Sequence, residues 1–174
     1  MKSIRHLATA CGLLLTASWA ASSAASAQED SEALVTFAVM KPEVAVELAE
    51  AAMEHCRAEG AQIAVAVVDR FGNLQVLLRD RFAGPHTPET ARRKAWTAVS
   101  FRGDTLTLSQ TTAPGSEAYG ANFITDALML GGGVPVEAKG SIVGGVGVSG
   151  APGGELDDAC ARAGIDAVAA DLAF

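Results

Sequence analysis

Positive charge and histidine are both scarce in this chain of 174 residues. It has 13 lysines and arginines against 20 aspartates and glutamates, which gives a formal net charge of −7, and it contains three histidines. An acidic chain binds polyanions poorly, because contacts to phosphate are made mainly by Lys and Arg. We therefore expect neither nucleic acid nor an anionic membrane surface among its partners.

Cysteine is also rare, and only Cys56 and Cys160 lie beyond the N-terminal segment. Both fall within helical patterns. In an oxidising compartment the two thiols could form a disulfide. The alternative is a pair of separate buried thiols, which we favour because free cysteine is among the most buried residue types.

No hydrophobic run is long enough for a comfortable membrane span. One apolar run extends from Leu7 to Ala21, after a basic start and before small residues that end at Ala27. This layout predicts a secretory signal peptide cleaved after Ala27, and the alternative is an anchored N-terminal helix. We expect a periplasmic or secreted protein, with residues 1–27 removed, residues 28–33 flexible and residues 34–174 forming one domain.

The first helix is predicted to begin at Lys41-Pro42 and to end at Gly60, because proline suits a first helical turn and glycine a helix end. Its apolar stripe at helical spacing comprises Val44, Leu48, Ala51 and His55. His55 is therefore expected on the inward face. A helix further along begins near Gly154, and a final short one begins near Ile165.

A second helix is predicted to start at Thr87-Pro88, with Thr87 as the N-cap. Its packing stripe comprises Ala91, Ala95, Ala98 and Val99. Residues 103–125 are ambiguous and fit a short helix followed by a loop.

Alternating apolar residues and turn residues predict two hairpins. The first joins the strands QIAVAVVD and LQVLLRD through the turn RFGN, and the second turns at Lys139-Gly140. A short strand over Leu34–Val39 brings the total to about five. Hairpins and helices in this order predict an α+β fold with a single antiparallel sheet flanked by helices.

The glycine-rich segment GGVGVSG has the spacing of a dinucleotide-binding motif, but its context is wrong. That motif needs a strand, a tight turn and then a helix. Here the glycines alternate with valines as part of a strand, where glycine more often marks a bulge or a close backbone approach. Ser149 is no nucleophile elbow, because Ala151 replaces the second glycine and no histidine follows it. With so few histidines no zinc constellation is expected.

Two histidines remain as candidate ligands. His55, on the predicted apolar stripe, is either a core residue or a ligand with room beside Ala51 and Ala52. His86 is either a loop residue or a ligand at the start of the second helix. In the basic run that follows, Arg92 and Lys94 flank the alanine stripe. We favour a solvated face for them over contact with an anion.

Four segments, in this order, resemble the GlcG/HbpS family of small haem-binding proteins: HCRAEGAQIAVAVVDRFGNL, RFAGPHTPETARRKAWTA, GGGVPV and GSIVGGVGVSG. The resemblance covers roughly Pro42 to Ala167. It implies a profilin-like architecture, a single sheet with helices on both sides, homo-oligomers that are ring-like or octameric, and haem binding in some members. Related domains accompany corrinoid adenosyltransferases, so the resemblance also allows a corrinoid as the less favoured cofactor.

The resemblance implies roles for individual residues. His55 matches a histidine that family members often place at the end of the first helix, and we rank it first as an axial ligand. His86 ranks second, because Phe82–Pro85 departs from the family's usual loop pattern. Neutral imidazole suits haem iron. Thr87, beside His86, is a further candidate for cofactor binding, and Arg92 or Lys94 could pair with haem propionates.

The function that the resemblance implies is exported haem binding, for sequestration, delivery or sensing with a protein partner. Two alternatives remain open. One is a haem- or corrinoid-dependent accessory enzyme, which could degrade haem. The other is a cofactor-free oligomeric module linked to small hydroxy-acid metabolism. Binding is favoured over catalysis because no set of acid, base and nucleophile is recognisable.

Overall fold

The first helix and the hairpin that follows it form as their residue patterns predict. A computed structural model describes residues 33–173, and the predicted signal peptide and residues 28–32 lie outside the described residues. Helix α1 spans Pro42–Ala58, with proline in its first turn, and Gly60 follows it with a positive φ of 78°. Strands β1 (Ala64–Asp69) and β2 (Leu74–Arg79) pair as an antiparallel hairpin.

The second half of the chain repeats the sequence of helices and hairpin. Helix α2 (Thr87–Phe101) is followed by α3 (Thr105–Thr111) and by a 3-10 helix (Glu117–Phe123). Strands β3 (Gly133–Ala138) and β4 (Ser141–Ser149) form the second hairpin. Helices α4 (Gly154–Ala167) and α5 (Ala169–Leu172) end the chain, so the last helix begins four residues later than the predicted Ile165.

The sheet within the described residues has four antiparallel strands in the order β2-β1-β4-β3. The α+β class and the single antiparallel sheet are confirmed, whereas the prediction of about five strands is wrong by one. Residues Leu34–Val39 form no strand. The Phe37 ring instead lies under the Arg70 guanidinium, 4.0 Å from its central carbon, and edge-on to the Phe71 ring. Side-chain stacking takes the place of strand pairing there.

Alternate side chains of β1 enter two separate cores, because successive residues of a strand point to opposite faces. On one face Val65 and Val67 join α1 and α4 in an aliphatic core. On the other face Ala64, Ala66 and Val68 meet α2. The predicted packing stripe of α2 is confirmed, since all four of its residues are buried: Ala91, Ala95, Ala98 and Val99.

The inward face of α1 differs from the predicted stripe. Val44 and Ala51 are half-buried and His55 is exposed, while the buried residues are Ala45, Leu48, Ala49, Ala52, Met53 and Cys56. The helix is rich in alanine, so hydrophobicity alone defines its face poorly, and the real face is turned by about one residue, or 100°.

A disulfide between Cys56 on α1 and Cys160 on α4 crosses the larger core. Both residues are fully buried. The preference for two separate thiols was therefore wrong. It failed because the packing of α1 against α4, 104 residues apart in sequence, aligns the two side chains. No helix between residues 33 and 173 is both long enough and apolar enough to cross a membrane.

Candidate functional site

The starts of α2 and α4 enclose a cavity of about 430 Å³ that we call the His86 cleft. One wall is the loop that precedes α2, and the other is the glycine-rich loop that joins β4 to α4. The volume lies in the range of small-ligand sites. Its lining residues are Gln62, Phe82, Gly84, His86, Thr87, Thr90, Lys94, Leu130, Ser149, Gly150, Ala151, Pro152, Gly153, Gly154 and Asp157.

Asp80 is the first residue of the loop before α2, and its buried carboxylate fixes the start of that loop. One carboxylate oxygen of Asp80 accepts hydrogen bonds from Arg57 Nε and Nη2, at 2.9 and 2.5 Å. The other accepts the Ile63 backbone N–H at 3.2 Å. At the next turn the Arg79 guanidinium donates to the Ala83 carbonyl. These bonds hold the loop before α2 to α1 and to the sheet.

His86 immediately precedes α2, and its side chain is exposed at the cleft. A Cβ placed on Gly84 would lie 2.7 Å from Cε1 and 2.9 Å from Nδ1 of the imidazole. The ring therefore lies directly over Gly84. Any larger residue at position 84 would displace the ring. Neither ring nitrogen makes a hydrogen bond to any residue between 33 and 173. The imidazole is available to a ligand.

Thr87 is the first residue of α2, so its assignment as the N-cap was wrong by one position. Its hydroxyl donates to the Gly84 carbonyl at 2.8 Å, and its side chain is buried. The hydroxyl thus closes the turn that supports His86 instead of capping the helix. One turn later the Thr90 hydroxyl donates to the His86 carbonyl at 3.0 Å.

Lys94 lies at the floor of the cleft and is 1% exposed, so the expected solvated face is wrong for this residue. Its ammonium donates to Asp157 Oδ2 at 2.7 Å and to the Val148 carbonyl at 2.8 Å. Asp157 Oδ1 accepts the Ala151 N–H at 3.0 Å. The pair therefore links α2, β4 and the loop before α4.

Burial dominates the electrostatics of this pair. It lowers the pKa of the Lys94 ammonium and raises the pKa of the Asp157 carboxyl, and the charge of each partner opposes both shifts. A buried charge without its partner would be strongly destabilising. Loss of either partner would therefore destabilise the domain and disturb the floor of the cleft.

Most of the lining residues were not identified from the sequence in this role, and Ser149 and Phe82 are two examples. Ser149, at the end of β4, was considered only as a nucleophile and rejected, yet it is 95% buried and lines the cleft. Phe82 presents a ring that is 78% exposed. An exposed aromatic residue beside a glycine-proline turn was the available signal for Phe82. No such signal exists in the sequence for Ser149, since its place in the cleft depends on β4 meeting the start of α4.

The structure brings His86, Thr87 and Lys94 together and leaves His55 and Arg92 outside the cleft. His55 is exposed near the end of α1. Arg92 pairs with Glu89 at 2.7 Å and Asp126 at 2.6 Å, which anchors the segment before β3 to α2. Arg92 thus contacts carboxylates of its own chain.

Comparison with known proteins gives consistent matches. A family model described as "Haem degrading protein HbpS-like" matches residues 40–166. A double mutant of Streptomyces reticuli HbpS is 38% identical, and its crystal structure superposes with a TM-score of 0.74 over 90% of this chain and 97% of that one. The crystal structure of the PduOC:heme complex is 30% identical, with a TM-score of 0.70 over 74% of this chain and 94% of that one.

A longer relative matches only in part. Corrinoid adenosyltransferase PduO from Salmonella typhimurium is 33% identical over 106 residues, which are 60% of this chain and 32% of PduO. The chain therefore spans about one third of the length of that relative.

Proposed function

This chain belongs to the HbpS-like family, and from that membership we propose that it binds haem in the His86 cleft. The observation that carries the proposal is the match to the PduOC:heme complex, which extends over 94% of that domain. Haem, when bound, would supply an iron centre that accepts an imidazole nitrogen. The residues present fit such a group, because the His86 ring is exposed, unbonded and set over Gly84.

We assign the roles in the cleft as follows. His86 would hold the haem iron through its imidazole, in preference to His55, because His86 lines the cleft and His55 does not. Phe82 supplies an aromatic surface for the porphyrin face, since its ring is largely exposed. Thr90 and Ser149 offer hydroxyl groups. Lys94 fixes the floor of the cleft by pairing with Asp157. Its ammonium has three N–H donors and uses two of them on Asp157 and Val148, so only the third could reach a propionate.

The test is titration of the purified protein with haem, followed by the Soret band. His86→Ala should weaken binding by at least about tenfold, or 1.4 kcal/mol, and shift the band. Gly84→Ala keeps the imidazole but displaces it, so binding should weaken in the same direction. His55→Ala is the matched control and should bind haem as the unmodified chain does.

The control also decides between the two imidazoles. Loss of binding in His55→Ala with normal binding in His86→Ala would move the site to the end of α1. Unchanged spectra in the single and double variants would remove imidazole ligation from the account.

We also propose that the protein is exported to the periplasm or secreted and cleaved after Ala27. The disulfide between Cys56 and Cys160 supports this proposal, because disulfides persist mainly in oxidising compartments. Intact mass of the protein from the extracytoplasmic fraction tests it. A product that still begins at Met1 would contradict the proposal.

Finally, we propose that the chain is a homo-oligomer, with an octamer as the form implied by the family. Large apolar side chains at the surface support assembly, since exposed apolar patches mark interaction sites. Phe82, Phe123 and Phe71 are 78%, 74% and 60% exposed. Light scattering at micromolar concentration should give a multiple of the chain mass, and a monomer mass would overturn the proposal.

A further inference from the structure

A second cavity, of about 520 Å³, lies at the opposite end of α2 from the His86 cleft. We call it the Trp96 cavity. It is bounded by the last turns of α2, by the turn between β1 and β2, and by the turn between β3 and β4. The start and the end of α2 are about 20 Å apart, at 1.5 Å per residue. The two cavities can therefore bind different ligands.

The walls of the Trp96 cavity combine flat aromatic surface with positive charge. Trp96 and Phe71 provide rings, and Arg70 and Arg102 provide guanidinium groups. Glu137 supplies one carboxylate, so the charged side chains sum to one positive charge. The end of α2 contributes roughly half a negative charge. The balance stays positive although the chain as a whole is acidic, with a net charge of −7.

Three polar side chains of this cavity, those of Arg70, Trp96 and Arg102, make no hydrogen bond or ion pair within the described residues. Through its side chain Arg102 makes no ion pair or hydrogen bond within residues 33–173, and the Trp96 indole N–H has no acceptor there. Arg70 is stacked over Phe37 at 4.0 Å and has no carboxylate partner in the same part of the chain. By contrast, Arg57, Arg92 and Arg162 all pair with carboxylates.

The backbone at Arg102 adds an independent observation. Arg102 follows α2 in the left-handed conformation, with φ 54° and ψ 44°, where glycine or asparagine is the usual residue. A non-glycine residue there carries a conformational cost. Backbone strain of this kind concentrates at functional sites. Here it sets a guanidinium at the rim of a cavity.

From the unpaired arginines, the aromatic walls and the strained rim, we propose that the Trp96 cavity binds small planar carboxylates. Guanidinium groups bind carboxylates through paired, charge-assisted hydrogen bonds. Indole and phenyl faces stack on flat rings. The ligand class is an aromatic or heteroaromatic acid, and haem with its two propionates is the alternative source of the same chemistry.

The experiment uses benzoate as the probe and the indole N–H resonance of Trp96 as the readout. The chain has two tryptophans, so a ¹⁵N-labelled sample gives at most two indole signals, and Trp96→Phe identifies the relevant one. Benzoate at about millimolar concentration should shift that signal. Benzyl alcohol, which has the ring without the charge, should shift it much less, and so should inorganic phosphate, which has the charge without the ring.

The variant that tests the charge is Arg102→Asn, because asparagine tolerates the left-handed backbone. It should weaken benzoate binding by at least about tenfold. Arg81→Gln is the matched control, since Arg81 stacks on Phe82 at 5.3 Å and does not line the Trp96 cavity. It should leave benzoate binding unchanged. Absence of any benzoate shift, or an equal shift in Arg102→Asn, overturns the proposal.

Haem titration of the same variants separates the two sources of carboxylate. Normal haem affinity in Arg102→Asn, with benzoate binding lost, supports a site for a free aromatic acid. Loss of both supports the carboxylate site with haem as its ligand, and would then contradict the placement of haem in the His86 cleft.

Discussion

The two faces of the sheet are built on different principles. The face under α1 and α4 is covered by a large aliphatic core, which includes Leu48, Ile63 and Val65, and a disulfide crosses it. The face under α2 carries two clusters of three buried residues each, most of them alanine. There the helix rests on the glycines of β3 and β4 and is joined to α4 by the Lys94–Asp157 pair.

The difference bears on the two candidate sites, which lie at the two ends of α2. On the α1 and α4 face, packing depends on side-chain volume, and the side chains interdigitate in the core. Cavities on that side lie at the edges of the core, between α1 and β2 and between α4 and β3. On the α2 face, packing depends on close approach of backbones through glycine. Both ends of α2 project beyond this close contact, and each lines a cavity. The α2 face, which we call the thin face, holds both candidate sites, and the α1 and α4 face, which we call the thick face, holds the larger core.

The largest effect is expected from Gly147→Ala. A Cβ at Gly147 would collide with the Ala91 carbonyl and lie 2.7 Å from the Ala95 nitrogen, so α2 would have to move off the sheet. We expect a loss of at least about 4 kcal/mol in the free energy of unfolding, measured by denaturant titration. Gly120→Ala is the control, because a Cβ there meets nothing within 4 Å. A loss below about 1 kcal/mol at Gly147 would refute backbone contact as the basis of this face.

Lys94→Met should be the next most damaging change, at about 3 kcal/mol, because it leaves the Asp157 carboxylate buried without a cation. Burial raises the pKa of Asp157 above its unfolded value of 3.8. Removal of the ammonium raises it further. The variant should therefore lose stability as the pH rises through the folded pKa of Asp157, and regain it as the pH falls.

The double variant Lys94→Met/Asp157→Asn removes the unpaired charge and keeps an acceptor for the Ala151 N–H. It should recover part of the loss at neutral pH. A single variant no less stable than the double variant would show that the charge pair does not hold this face.

On the opposite face, Cys56→Ala/Cys160→Ala should reduce the free energy of unfolding by about 2–3 kcal/mol. The loop that the disulfide closes is long, with a separation of 104 residues. Reduction of the unmodified protein with dithiothreitol should give a similar loss. If the two faces are independent, haem and benzoate affinities should not change, and a loss of either would couple the thick face to the sites.

The smallest effect is expected at the turn between β1 and β2. Burial tends to raise the pKa of Asp69, but hydrogen bonds from Asn73, Phe71 and Gly72 outweigh it and lower that pKa. A carboxylate with a lowered folded pKa stabilises the protein above its unfolded pKa of 3.8 and loses that contribution as the pH falls. Asp69→Asn should cost about 1 kcal/mol at neutral pH and flatten the acid decline in stability. An unchanged acid decline would remove this role.

Much of the fold was readable because its signals are local. Alternation of apolar residues predicted both hairpins, and the alanine stripe predicted the inward face of α2. His86 was recognised as the residue at the start of a helix, because proline and threonine mark such a start. Each of these signals lies within a few residues of the feature that it predicts.

The N-cap at Thr87 was wrong for a local reason, because its hydroxyl closes the turn at Gly84. Other errors arise from contacts between residues distant in sequence. Lys94 looked solvated because its compensating carboxylate is 63 residues away. His55 was placed inward because an alanine-rich helix does not define its own face. The face is set by Cys56, whose partner is 104 residues away. The buried residues of α1 also follow helical spacing, so the helix alone allows two stripes, and its contact with α4 selects between them.

The span of the disulfide has a consequence for proteolysis. Cys56 and Cys160 enclose the whole sheet, α2 and the long connection from α3 to β3, where Phe123 and Ile124 are exposed. Exposed loops are preferred sites of nicking. A protease that cuts this connection would release no fragment, because the two pieces remain covalently joined. The nicked chain would separate into two bands only on a reducing gel.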